Sequence, residues 1–120
     1  MTTLSDALTA YRLCARAEGR SPRTIQWVTS SVAYFRDFLG GDPDIVQISP
    51  DDLRRFILAL QQKDKYSSHP FSKPRQQRLS PQSINTYCRA IRVFFGYLYR
   101  EELIEHNPME KVRMPRVPRA

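Results

Sequence analysis

Residues 79–98 read Leu79-Ser80-Pro81-Gln82-Ser83-Ile84-Asn85-Thr86-Tyr87-Cys88-Arg89-Ala90-Ile91-Arg92-Val93-Phe94-Phe95-Gly96-Tyr97-Leu98. Ser80 can accept a hydrogen bond from the first free amides of a helix, and Pro81 sits where its missing N–H does no harm. Beyond this start, Ile84, Tyr87, Ile91, Phe94, Phe95 and Leu98 fall on one side at helical spacing. Gln82, Asn85, Arg89, Arg92, Gly96 and Arg100 fall within an arc of about 80° on the other side. The spacing predicts a long amphipathic helix with an apolar inner face and a polar outer face that carries no carboxylate.

The same start signal recurs upstream. Ser21-Pro22 opens a helix whose inward face is Ile25, Val28, Val32, Phe35 and Leu39, and Gly40-Gly41 ends it. Ser49-Pro50-Asp51-Asp52 opens another, with its acids against the positive end of the helix dipole and a stripe of Leu53, Phe56, Ile57 and Leu60. Nearer the N-terminus, Thr3-Leu4-Ser5-Asp6 forms a capping box, followed by Leu4, Leu8, Tyr11 and Ala15 and a stop at Gly19. The three Ser-Pro starts share capping chemistry, but their spacing is irregular and they are not a repeat. No sustained period-2 run or Asn-Gly hairpin turn competes with this reading. The expected fold is all-α, a bundle of four helices held by mutual packing.

Gln61 through Leu79 are polar, carry two prolines and five basic residues, and read as a long basic loop between the third and fourth helices. Asn107-Pro108-Met109-Glu110-Lys111-Val112 reads as a short C-terminal turn of helix. Pro115 and Pro118 among Arg113, Arg116 and Arg119 suit an extended linker. The expected organisation is one domain over residues 1–112, with a linker over 113–120.

The 120 residues carry 19 Lys and Arg against 12 Asp and Glu, a formal charge of +7. Residues 1–60 balance seven bases against seven acids, so the whole excess lies in the second half. Between residues 65 and 100 stand Lys65, Lys73, Arg75, Arg78, Arg89, Arg92 and Arg100, with no Asp or Glu. A field of one sign repels itself until an anion relieves it, so a polyanionic partner is expected. On the outer face of the second helix, Arg23, Trp27, Ser30 and Tyr34 lie together with Thr24 and Gln26 on the flanks. Trp27 is expected to face away from the core, as an aromatic kept for contact.

Catalytic chemistry finds no foothold. There is no Gly-rich phosphate loop or paired-carboxylate motif, and Cys14, Cys88, His69 and His106 have no metal-ligand spacing. No cofactor, metal, small-molecule substrate or membrane is expected. Two isolated cysteines and no secretory leader suggest a reducing, cytoplasmic setting.

Several motifs line up with one family. Ser21-Pro22-Arg23-Thr24-Ile25, Phe35-Arg36-Asp37-Phe38-Leu39 and Ile48-Ser49-Pro50-Asp51-Asp52-Leu53 resemble the opening of a tyrosine recombinase or phage integrase. Leu79 to Asn85, Ala90 to Phe95, Tyr97-Leu98, and Ile104 with Asn107-Pro108 are similar to the same family, and Pro115-Arg116-Val117-Pro118 resembles its lead into the catalytic domain. The resemblance implies the N-terminal core-binding (SAM-like) domain of Xer- or integron-type enzymes. That domain is a four-helix half of a C-shaped clamp whose second and fourth helices enter the DNA major groove.

Carried onto this chain, the resemblance makes Thr24, Gln26, Trp27 and Ser30 the DNA-facing positions of the second helix. Gln82, Ser83, Thr86 and Arg89 are those of the fourth, and Arg92 matches a recurrent family arginine. Arg23 and Asn85 join them from the outer faces, and Lys73, Arg75 and Arg78 from the basic loop. The expected partners are a double-stranded recombination half-site and, on DNA, other recombinase protomers. Neither His69-Pro70-Phe71-Ser72 nor His106-Asn107-Pro108-Met109 gives the family's His-x-x-Arg box. This chain is therefore expected to bind without cleaving, the catalytic domain being absent from it. The alternative is a helical protein-interaction module using Trp27, Tyr34 and the long loop; RNA binding is disfavoured for want of an aromatic platform.

Overall fold

The computed structural model describes residues 1–62 and 79–116. Four α-helices form the body: α1 (Leu4–Ala17), α2 (Pro22–Leu39), α3 (Pro50–Gln62) and α4 (Pro81–Arg100). Short 3-10 turns follow at Ile45–Gln47 and Pro108–Lys111. Among the described residues there is no strand, only an isolated bridge between Thr3 and Asp44. The all-α expectation holds.

Each start is the one its caps dictate. Thr3 Oγ1 accepts from the Asp6 amide at 3.1 Å, and the Asp6 carboxylate accepts from the Thr3 amide at 3.3 Å. Ser49 and Asp52 make the same reciprocal pair at the head of α3, at 2.9 and 3.2 Å. α1 stops because Gly19 takes φ +78°, which lets the Gly19 amide reach Arg16 O and the Arg20 amide reach Ala15 O. Gly40 closes α2 the same way at φ +77°.

Phe35, Phe56, Phe94 and Phe95 are fully buried, and every helix adds to the cluster around them. Tyr11 of α1 meets Phe94 and Tyr97 of α4 edge-on, with centroids 6.0 and 5.3 Å apart. Phe56 of α3 meets Phe35 of α2 at 5.1 Å. Cys88 is buried, and burial pushes its thiol up to about 11. The C-terminal turn is tied down as well: Pro108, Met109 and Val112 are buried, and the Arg54 guanidinium donates to the Lys111 carbonyl at 3.1 Å.

Two features differ from expectation or were not foreseen. Helix α3 continues through Gln61 and Gln62, which the sequence reading gave to the loop; glutamine is a good helix former and nothing there breaks the helix. The remainder of that loop, with Lys73, Arg75 and Arg78, lies outside the described residues, as do residues 117–120. The 3-10 turn at Ile45–Gln47 was not anticipated. It is capped by Asp44, whose carboxylate accepts from the Val46 amide at 3.1 Å.

The chain before that turn clamps the start of α1. Leu4 N–H donates to Pro43 O at 2.9 Å, Ile45 N–H to Thr2 O at 3.0 Å, and Ser5 N–H to the Asp42 carboxylate at 2.9 Å. The Ser5 amide, first among several donors, holds the Asp42 carboxyl below its ordinary range. A depressed folded-state value contributes stability above the unfolded carboxylate range, and that contribution is lost as pH falls through the folded value. Asp42→Asn is therefore expected to flatten the acid limb of the stability–pH curve. Identical acid limbs in urea melts of the two proteins would contradict this.

Candidate nucleic-acid interface

α2 and α4 pack side by side and begin alike. In α2 the Ser21 hydroxyl oxygen accepts from the Thr24 amide at 3.1 Å, while the hydroxyl donates to Thr24 Oγ1 at 2.9 Å. In α4 Ser80 does the same to Ser83, at 3.1 and 3.0 Å. The other two helices place acids in their first turns, Asp6 in α1 and Asp51 and Asp52 in α3, whereas α2 and α4 have none. The positive dipole ends of α2 and α4 are thus left without a local carboxylate, a setting that favours phosphate.

Most expected contact residues are where the periodicity puts them. Arg23, Gln26 and Ser30 are exposed on α2, and Gln82, Thr86, Arg89 and Arg92 are exposed on α4; Thr24, Ser83 and Asn85 are partly covered. The Ser30 hydroxyl donates to Gln26 O at 2.7 Å and the Thr86 hydroxyl to Gln82 O at 2.9 Å. Their hydroxyl protons are thereby committed to the helix backbone, leaving the oxygens as acceptors. Among the described residues, Arg23, Arg89 and Arg92 have no carboxylate within ion-pair distance, in contrast to Arg54 and Arg55 of α3, which hold Asp51 and Asp52 at 2.8 and 3.2 Å.

Two assignments change. Trp27 does not face away from the molecule. It packs against the core cluster, with its indole N–H buried and unpartnered and the Arg89 guanidinium 5.8 Å from its ring centroid. Tyr34 likewise lies edge-on to Phe56 and Tyr87, at 5.8 and 5.5 Å. The turn-by-turn pattern of α2 places Trp27 beside Tyr34 correctly, but α4 covers that side, which no local pattern reports. Trp27 and Tyr34, the aromatic anchors of the protein-interaction alternative, are thus half-buried against the core.

Arg100 is the second change. Its guanidinium reaches the Glu18 carboxylate at 3.3 Å, so the last turn of the cationic arc is neutralised from α1. The unpaired stretch of α4 is its N-terminal and middle portion.

Trp27 thus lies between the core and the Arg89 guanidinium. Trp27→Ala should cost about 2 kcal/mol, below the 3–5 of a fully buried aromatic, because the ring is only partly covered. Trp27→Phe keeps a ring and removes the orphan donor, and should cost less than about 1 kcal/mol. Equal denaturation midpoints for wild type and Trp27→Ala would show that the ring is not packed.

Among the described residues no three His, Cys, Asp or Glu side chains gather to hold a metal. A cleft of about 720 Å³ between the Ile45–Ile48 turn and the segment after α4 is lined by Glu102, Glu105 and His106 but by no hydroxyl or thiol nucleophile. No described helix is long and apolar enough to cross a membrane.

The family described as phage integrase, N-terminal SAM-like domain, matches residues 11–102. The chain belongs to this family. A curated relative, the tyrosine recombinase XerC of Oceanobacillus iheyensis, is 26% identical over 98 residues, which cover 80% of this chain and 28% of that protein. The chain thus spans a little over a quarter of the relative's length. No solved structure matches it significantly. As an integrase N-terminal domain, the chain has the four-helix, SAM-like architecture that the motifs implied, and the matched span contains α2, α3, α4 and the C-terminal part of α1.

Proposed function

We propose that this integrase N-terminal domain binds duplex DNA in a sequence-selective manner, as one arm of a recombinase clamp on a recombination half-site. The observation that carries the reading is the paired faces of α2 and α4, with acid-free first turns and the unpaired cations Arg23, Arg89 and Arg92. Gln82, Asn85 and Thr86 near the start of α4 supply amide and hydroxyl groups of the kind that read base edges, and the arginines suit phosphates or guanine. Thr24, Gln26, Ser30 and Ser83 complete the contact set, with Trp27 acting from beneath through Arg89. Lys73, Arg75 and Arg78, which lie outside the described residues, are proposed as further phosphate contacts. These 120 residues bind without cleaving, and other recombinase protomers join on the DNA.

A fluorescence-anisotropy titration of labelled duplex at several salt concentrations tests this. With about five phosphates neutralised, log K should fall against log salt with a slope near ~−4 to −5. A flat response would remove the electrostatic basis of the proposal.

A further inference from the structure

The even charge of residues 1–60 hides a separation in space. Residues 7–35 contain Arg12, Arg16, Arg20 and Arg23 and a single acid, Glu18. The acids Asp6, Asp42 and Asp44 gather around the opposite end of α1, where they cap Thr3, Ser5 and the 3-10 turn. At 1.5 Å per residue, Asp6 and Arg16 are about 15 Å apart along the axis. α1 therefore has an acidic head and a cationic tail.

That tail borders a groove. Arg12 and Arg16 of α1 and Arg20 of the following turn line one side of an open depression of about 400 Å³, and Pro22, Gln26 and Thr29 of α2 line the other. Arg12 and Arg16 are exposed and have no carboxylate partner among the described residues, while Arg20 holds only a loose pair with Glu18 at 3.8 Å. Farther along the same seam Arg36 is already occupied, donating to Ser5 Oγ at 3.0 Å and lying 3.7 Å from Asp37. Cations one turn apart on a helix repel each other, so this row is a standing cost that a bound anion would relieve.

The groove is placed for one particular anion. Around α2, Pro22 and Gln26 lie on the α1 side, Arg23 and Ser30 point outward, and Trp27 with Tyr34 lies on the α4 side. The outward strip of α2 thus runs between two cationic flanks, Arg89 on one side and the Arg12–Arg16–Arg20 row on the other. A helix lying in a major groove has a sugar–phosphate wall on each side. We propose that the α1–α2 groove is a phosphodiester-binding site that grips the DNA backbone on the wall away from α4, with Gln26 shared between groove and strip. This inference rests on the duplex-binding reading and adds α1 to the contact surface.

The double variant Arg12→Gln/Arg16→Gln tests it, with a mixed-sequence labelled duplex as probe and Arg89→Ala/Arg92→Ala as comparison. Both arginines of the first pair are exposed, so its melting curve without DNA should match wild type. Losing two phosphate contacts should make the log K against log salt slope shallower by about 1.8, so that the affinity gap to wild type narrows about tenfold between about 50 and 200 mM salt. A wild-type slope retained in Arg12→Gln/Arg16→Gln but reduced in Arg89→Ala/Arg92→Ala overturns the α1 site and leaves the duplex reading intact. A wild type with no salt dependence overturns the duplex reading, and the α1 site with it.

Discussion

Replacing Phe94 with alanine is expected to remove about 3–5 kcal/mol of folding stability. Phe94 is completely buried and stands where α1 and α4 meet, with Tyr11, Phe95 and Tyr97 rings 6.0, 5.7 and 6.4 Å away. Truncation leaves a cavity that three other rings cannot all close, since each is held by its own neighbours. Small domains have about 5–15 kcal/mol in total, so the variant should lose a large share of its stability. Urea denaturation of wild type, Phe94→Leu and Phe94→Ala should give midpoints falling in that order. A loss below about 1 kcal/mol for alanine would mean that α1 and α4 are not joined through this ring.

Changes on the outer face should do the reverse, sparing stability and altering binding. Arg89→Ala is expected to weaken duplex binding about tenfold near 0.1 M salt, similarly for every sequence, and to reduce the salt slope by about 1. Gln82→Ala keeps the cationic field and should instead relax the preference among duplexes, by about 1–3 kcal/mol at the base pair it reads. The division follows from position: Gln82 is exposed in the first turn of α4, whereas Arg89 is held two turns later over the Trp27 ring. Affinity measured on a panel of duplexes checks both. If neither variant distinguishes one duplex from another, or both lose affinity alike, the two roles collapse into one.

The helices were readable because their starts are local chemistry. Ser21, Ser49, Ser80 and Thr3 each cap with their own hydroxyl, so three or four consecutive residues carry the signal. The apolar stripes were equally local, and the outward placement of Gln82, Arg89 and Arg92 followed from them. Trp27 was misread because the boundary between surface and core on α2 depends on which side α4 covers. The Arg100–Glu18 pair joins residues 82 positions apart, beyond the reach of any periodicity. The turn at Ile45–Gln47 did have a local sign, Asp44 after Pro43, that could have been taken as a cap. The cationic row of α1 was lost to arithmetic, since acids at one end of a helix cancel bases at the other only on paper.

Cys88 lies inside α4 immediately before Arg89, sealed from water and with a thiol that titrates near 11. Buried and with its thiol raised above the ordinary range, this sulfur is open to alkylating reagents only when the helices part. Its modification rate is therefore a built-in stopwatch for the opening of the bundle, running directly behind the exposed Arg89. A duplex that binds the closed form should slow that clock as its occupancy rises, with alkylation at Cys88 read apart from the half-exposed Cys14 by peptide mass spectrometry.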